Sequence, residues 1–208
     1  KTDDRIEINS LVGKNFTKEL SYSSFINFKT QFARGYKYSN SSIGSEQRTE
    51  TTRFFSPAYI QLGVGVYWKK SRDFWINMAP VTGRLIIANK KFTSNLGDGE
   101  EYFGISKGNT SRFELGASLT GFYKFELIEN VILEQSLSLY SDYLQNAENI
   151  DIDYTISAFM KINDYLSTSL IMQCKYDDNA VKRVQLREVF GLAVTLDLLE
   201  IPRLISKI

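Results

Sequence analysis

Apolar and polar residues alternate with a period of two along most of the chain. From Ala58 to Trp68, one set of alternate positions is aliphatic or aromatic, and the other carries Tyr, Gln and Gly. The alternation recurs in Leu20–Phe32, Phe113–Leu127, Val131–Tyr140, Ile150–Ile162, Leu166–Tyr176 and Val184–Leu196, and more weakly in Arg5–Val12 and Arg72–Lys90. Such alternation is typical of strands with one apolar face. The sequence therefore predicts about nine strands, with a bulge or kink near Pro80 and Gly83.

The predicted strands are long, and the links between them alternate in length. Many strands exceed the ~5–6 residues usual in soluble proteins and match the ~9–11 residues of a tilted membrane strand. Short links near 69–72, 128–130 and 163–164 alternate with long ones at 35–56 and 91–109. Aromatic residues gather near strand ends, as in the interfacial girdles of membrane barrels. These features predict an all-β protein, a transmembrane antiparallel up-and-down β-barrel with its apolar face outward.

Alternation by itself does not say which face points inward, so a soluble lipocalin-like barrel with an apolar interior is an alternative. In the membrane interpretation, residues 1–198 form the barrel and 199–208 a periplasmic tail. Short turns then face the periplasm, which puts Lys1 at the outer face and Ile208 in the periplasm. Because bacterial single-chain barrels have an even number of strands, we expect about 10–12 strands in all, some of them N-terminal to this chain.

Several segments resemble a domain-of-unknown-function family of outer-membrane β-barrel proteins from Bacteroidota. The residues that carry the resemblance include KTDDRIEINSLVGK at 1–14, SPAYIQLGVGVYWK at 56–69, NIDIDY at 149–154, KINDYLS at 161–167 and VQLREVFGL at 184–192. The resemblance implies a barrel in the outer membrane of a Gram-negative bacterium, with further N-terminal strands and about twelve strands in total. It implies no catalytic residue.

The amino-acid composition limits which kinds of functional site the chain can form. The 208-residue chain has a net charge of +1, no histidine and one cysteine, which disfavours nucleic-acid binding by charge and excludes histidine-dependent triads and zinc sites. Asp151 and Asp153 share one strand face and could bind a cation or form an acid–base pair, but a lumenal ion-pair role is favoured. The 97–101 loop is interpreted as solvated rather than calcium-binding, and Cys174 as a small apolar residue. We therefore predict no enzyme activity, no metal site and no cofactor.

The polar face carries long charged side chains of both signs. They are Lys29, Arg112, Glu114, Lys124, Glu126, Glu134, Asp142, Asp151, Asp153, Lys161, Lys175 and Arg187. Because unpaired charge is costly in a narrow lumen, we expect these residues to pair across the barrel and to block a continuous water column.

Three functional hypotheses follow from the sequence. The first is a non-enzymatic outer-membrane barrel that acts as a structural or accessory subunit, with outer-membrane lipid and other outer-membrane proteins as its partners. The second is a pore or transporter for small solutes or lipids. The third, weaker hypothesis is the soluble lipocalin-like binder.

Overall fold

The computed structural model describes residues 4–40, 46–145, 147–177 and 181–195. Within these ranges the chain is all-β apart from one four-residue helix, α1 at Lys90–Thr93. The strands are β1 Arg5–Asn15, β2 Leu20–Gln31, β3 Gly35–Asn40, β4 Glu46–Thr52, β5 Ala58–Lys69, β6 Phe74–Ile87, β7 Glu101–Tyr102, β8 Ile105–Ser106, β9 Ser111–Ile128, β10 Val131–Asp142, β11 Ile150–Lys161, β12 Leu166–Asp177 and β13 Val181–Val194. No helix in the described ranges is long and apolar enough to span a membrane.

Nine long strands form one antiparallel sheet in the order β1-β2-β5-β6-β9-β10-β11-β12-β13. Sequence neighbours pair with each other once the two short hairpins are set aside, so the sheet is an up-and-down meander. The prediction of an all-β antiparallel architecture is confirmed. The hairpins β3–β4 and β7–β8 lie inside the two longest links, where the sequence had indicated only loops.

The links sort onto two ends of the sheet, because successive strands run in opposite directions. Residues 16–19, 70–73, 129–130 and 162–165 connect strands at what we call the short-turn end. The links 32–57, 88–110 and 143–149 lie at the opposite, long-loop end. β1 starts at the long-loop end, and β13 finishes at the short-turn end. Lys1, Ile208 and the 199–208 tail, on which the topology prediction rested, lie outside the described residues.

A bulge in β6 changes which side chains face which side of the sheet. Ala79 pairs with Ser118 and Thr82 with Gly116, so Pro80 and Val81 together oppose a single residue of β9. Before the bulge the odd-numbered residues of β6 share a face with Ser118, and after it the even-numbered ones do. The irregularity predicted at Pro80 is confirmed.

The sheet is curled, with one face concave. Arg84 of β6 places its Nη1 2.7 Å from Asp151 Oδ2 of β11, although β6 and β11 lie three strand spacings apart in the sheet order. Three strand spacings span about 14 Å in a flat sheet, which is more than these two side chains could bridge without curvature. The side chains on this face therefore meet across the curl, and we call it the inner face.

The inner face is tightly packed at Gly116, which gives a first prediction. A Cβ atom added there would lie 1.8 Å from the carbonyl oxygen of Ser141 on the neighbouring strand, whereas one added at Gly121 would meet nothing closer than 3.7 Å. We expect Gly116→Ala to lower the free energy of unfolding by about 1–3 kcal/mol through overpacking. Gly121→Ala should change it by no more than about 0.5 kcal/mol. Urea denaturation compares the two variants, and equal effects would contradict the packing at Gly116.

Candidate functional site

Five charged side chains from four strands converge near the long-loop end of the inner face. Arg84 of β6 contacts two carboxylates, with its Nε 2.5 Å from Glu114 Oε2 and its Nη1 2.7 Å from Asp151 Oδ2. Arg112 of β9 places its Nε 3.1 Å from Glu114 Oε1 and its Nη2 3.4 Å from Asp142 Oδ2. We call these five residues the inner ion-pair cluster. Three carboxylates face two guanidinium groups.

The inner ion-pair cluster is buried and crosses the curl. Glu114 is 0% exposed, and the side chains of both arginines are 13% exposed. The Arg84 guanidinium also lies 3.9 Å from the ring centre of Tyr140, a cation–π contact. β6 and β11 are separated by two strands, so Arg84 and Asp151 bridge about 14 Å of sheet. Buried charges of this kind are tolerated only when they are paired.

A second layer packs on the cluster from the long-loop end. The side chains of Ile86, Ala88 and Ile105 form a buried apolar group, with Tyr59 and Tyr102 against it. Since Ile86 and Tyr59 belong to the inner face, the 88–110 link folds over that face rather than away from it. Arg112 Nη1 donates to the carbonyl oxygen of Gly104, 3.1 Å away, and so ties this link to the cluster.

Hydrogen bonds join the two long links into one unit. The Tyr102 hydroxyl donates to the Thr51 carbonyl oxygen 2.9 Å away, and the Asn89 N–H donates to Ser56 Oγ at 2.9 Å. Burial raises the pKa of Tyr102 to about 12, so its hydroxyl remains a neutral donor at ordinary pH. The two links together cover the long-loop end of the curled sheet.

The other charged residues predicted for the lumen lie in several surroundings. On the inner face, Lys124 Nζ pairs with Glu134 Oε1 at 2.9 Å between β9 and β10. Asp153 accepts a hydrogen bond of 2.7 Å from Gln173 Nε2, and Lys175 lies opposite both Asp153 and Gln185 in the strand register. Lys29 is half-buried.

The last three predicted residues lie near the short-turn end or on the edge strand of the sheet. Lys161 places its Nζ 2.6 Å from Asp164 Oδ1 in the 162–165 turn. Glu126 is exposed near the short-turn end of β9, and Arg187 is exposed on β13, the last strand of the sheet. Arg84, which contacts two carboxylates of the cluster, and Tyr140, on whose ring it stacks, were not among the predicted residues.

The residues weighed for chemistry are engaged in other contacts. Asp151 pairs with Arg84, and Asp153 with Gln173. In the acidic loop, Asp98 pairs with Lys107 at 3.3 Å, and Glu100 accepts from the Gly97 N–H. Cys174 is a half-buried free thiol that alternates with inner-face residues. Among the described residues, no three His, Cys, Asp or Glu side chains are grouped so as to hold a metal ion.

Comparison with known proteins gives one partial match. The sequence model of a family of proteins of unknown function, DUF3078, matches residues 1–36. That segment contains β1, β2 and the start of β3. Neither the curated proteins nor the solved structures include a match to this chain.

Proposed function

We propose that this chain forms most of the wall of a transmembrane β-barrel in the outer membrane of a Gram-negative bacterium of the Bacteroidota. In this proposal the barrel is not an enzyme and serves as a structural or accessory subunit of an outer-membrane complex. Its partners are outer-membrane lipid and other outer-membrane proteins, with no cofactor.

The inverted distribution of charge and apolar surface carries the proposal. Glu114 and Asp142 are buried on the inner face. Large apolar side chains are exposed on the opposite face, which we call the outer face, and those on β1, β2, β5, β9, β12 and β13 include Ile8, Val12, Ile26, Leu62, Val64, Phe113, Met172, Leu186 and Phe190. A water-soluble domain rarely exposes a continuous apolar surface of this extent. A lipid-facing wall requires one.

The same distribution weighs against the lipocalin-like alternative. A soluble barrel of that kind directs its apolar residues inward and its charges outward. Here Arg84 and Glu114 point inward, while Leu62 and Phe190 are 54% and 70% exposed.

Closure of such a barrel requires further strands. β1 and β13 are the two ends of the sheet order and run in the same direction, because eight antiparallel pairings separate them. Only an odd number of additional strands can join them by antiparallel pairing. Three additional strands would give twelve, in line with the sequence resemblance.

The accessory role is supported by the long-loop end. The links 32–57 and 88–110 fold into hairpins and a helix that are hydrogen-bonded to each other, and surface loops carried on a folded scaffold are where binding residues are concentrated.

Two fractionation experiments test the proposal. In membranes of the native bacterium, the protein should stay in the outer-membrane pellet after a carbonate wash and be released only by detergent. Release without detergent would overturn the membrane assignment. Affinity purification in mild detergent should then recover stoichiometric protein partners, and recovery of the chain alone would overturn the accessory role.

We also expect the barrel not to conduct as an open pore. The inner ion-pair cluster and the apolar group around Ile105 lie one above the other across the inner face, and a barrel of about 10–12 strands is narrower than the ~16–18-stranded porins. Planar-bilayer recording of the purified protein should therefore show no steady single-channel steps at neutral pH. Steady steps that are lost on blocking the barrel mouth would favour the pore or transporter alternative.

A further inference from the structure

Cationic side chains surround Glu50 at the long-loop end. Its carboxylate lies 2.8 Å from Arg53 Nη2, 2.5 Å from Lys91 Nζ and 4.0 Å from Arg34 Nε. Arg48 lies on the same face of the β3–β4 hairpin, stacked 3.5 Å from the ring centre of Tyr36, the residue that pairs with Glu50. We call Arg34, Arg48, Arg53 and Lys91 the basic cluster. Three cations around one carboxylate, with Arg48 on the same face of the hairpin, leave an excess of positive charge.

The carboxylate is covered, while two of the cations beside it remain accessible. The Glu50 side chain is 11% exposed, whereas those of Arg34 and Lys91 are 65% and 54% exposed. The hydrogen bonds from Lys91 and Arg53 lower the pKa of Glu50, so it stays ionised at neutral pH. Glu50 neutralises only one of the positive charges, and the exposed side chains of Arg34 and Lys91 can also meet a second anion.

Exposed aromatic rings adjoin the basic cluster on the outer face. Phe55, two residues after Arg53, packs on Phe28 of β2 at 5.6 Å between ring centres and on Phe54 at 4.8 Å. Its N–H donates to Thr30 Oγ1 at 3.1 Å, which fixes the turn against the outer face of β2. Phe54 and Phe55 are nevertheless 53% and 44% exposed.

The rings and the cations lie side by side. Phe54 and Phe55 directly follow Arg53, which pairs with Ser56 across the same turn, so the exposed rings adjoin the basic cluster at the long-loop end. A membrane lipid with an anionic head group also places apolar acyl chains next to a phosphate. Arginine side chains are suited to bind phosphate oxygens in a bidentate way.

We infer that the basic cluster binds the phosphate of an anionic membrane lipid whose acyl chains pack on Phe54 and Phe55. The inference rests on the proposed membrane location and adds a specific lipid class to it. The bound lipid would fix the 32–57 link at the membrane surface.

Native mass spectrometry of the detergent-purified chain tests the inference, with phosphatidylglycerol and phosphatidylcholine of identical acyl chains as probes. Wild type should retain phosphatidylglycerol in preference to phosphatidylcholine. Arg53→Gln/Lys91→Gln should weaken phosphatidylglycerol binding about 30-fold, as expected for the loss of two cations at a membrane surface. The matched control Lys70→Gln/Arg72→Gln removes two cations from the 70–73 turn at the opposite end and should leave binding unchanged.

Glu50→Gln separates lipid binding from a purely structural role. Removing this carboxylate takes away the competing anion, so phosphatidylglycerol should bind at least as tightly as to wild type. The alternative is that the ion pairs only stabilise the fold of the loops. In that case Glu50→Gln should weaken phosphatidylglycerol binding just as Arg53→Gln/Lys91→Gln does, and the inference fails. If wild type retains inorganic phosphate as well as it retains phosphatidylglycerol, the site belongs to a free anion and the inference is also overturned.

The failures of the two proposals are distinguishable. A chain that leaves the membrane without detergent refutes the membrane location. Two outcomes refute the lipid site alone, provided that the chain stays in the membrane fraction. In the first, wild type binds phosphatidylglycerol and phosphatidylcholine equally. In the second, Arg53→Gln/Lys91→Gln binds phosphatidylglycerol as tightly as wild type does.

Discussion

We expect Arg84→Met to lower the free energy of unfolding by about 3–5 kcal/mol, the cost of removing one partner from a buried ion pair. Met retains most of the aliphatic stem, so the change isolates the guanidinium. Without it, Glu114 and Asp151 lose contacts of 2.5 and 2.7 Å, and Glu114 remains fully buried. Urea denaturation of the protein in lipid vesicles measures the loss.

Lys124→Met is the matched control for the loss of charge. Lys124 also pairs across neighbouring strands, at 2.9 Å from Glu134, but the two side chains are 38% and 30% exposed. An exposed pair contributes about 0–1 kcal/mol, so this variant should be close to wild type. If both variants lose the same free energy of unfolding, burial is not what makes the loss of Arg84 costly.

A double variant measures how strongly Arg84 and Glu114 interact. Arg84→Met/Glu114→Gln removes one positive and one negative charge, so the remaining cluster keeps the same charge difference. Its loss should fall short of the sum of the two single losses by about 1 kcal/mol or more, as expected for residues in one network. Strict additivity would mean that the two side chains act independently.

The long strands were predictable because both of their faces had a consistent character. β9 and β11 alternate without a break over most of their length, and a period of two leaves no alternative to a strand. The hairpin β3–β4 was missed because its described residues are largely polar on both faces. β7–β8 has only two residues per strand, with Phe103 and Gly104 at its turn in place of the Asn-Gly signal of tight hairpins.

The inner cluster was predictable only in part. Arg112, Glu114, Asp142 and Asp151 were identified because strict alternation assigned them to the polar face. Arg84 was not, because the bulge at Pro80 and Val81 reverses the alternation within β6. Arg84, which joins three strands of the cluster, thus lies just beyond a bulge. A sequence pattern can indicate such a bulge, but it does not tell which face the following residues take.

The pairing pattern also needed the three-dimensional curl. Asp153 lies opposite Lys175 in the register, as neighbouring strands predict. Arg84 instead reaches Asp151 across two intervening strands, and no local rule of cross-strand pairing connects residues at that separation. Curvature of the sheet sets such contacts, and it depends on bulges and on the packing of the long links.

The largest effect that depends on the proposed location is expected for Leu62→Arg. Leu62 lies within β5, points away from the ion-pair cluster and is 54% exposed. In water, an arginine at such a site would change the free energy of unfolding by no more than about 0.5 kcal/mol. Facing the hydrocarbon of a bilayer, it should cost about 2–4 kcal/mol near the midplane.

Leu144→Arg provides the matched control, since Leu144 is 60% exposed in the 143–149 link at the long-loop end. The same chemical change there should stay within about 0.5 kcal/mol of wild type, because the link lies outside the hydrocarbon region. Urea denaturation in lipid vesicles compares the two variants. A loss of about 2 kcal/mol or more at residue 62 alone identifies the outer face as lipid-facing, and equal small effects at both positions would place that face in water.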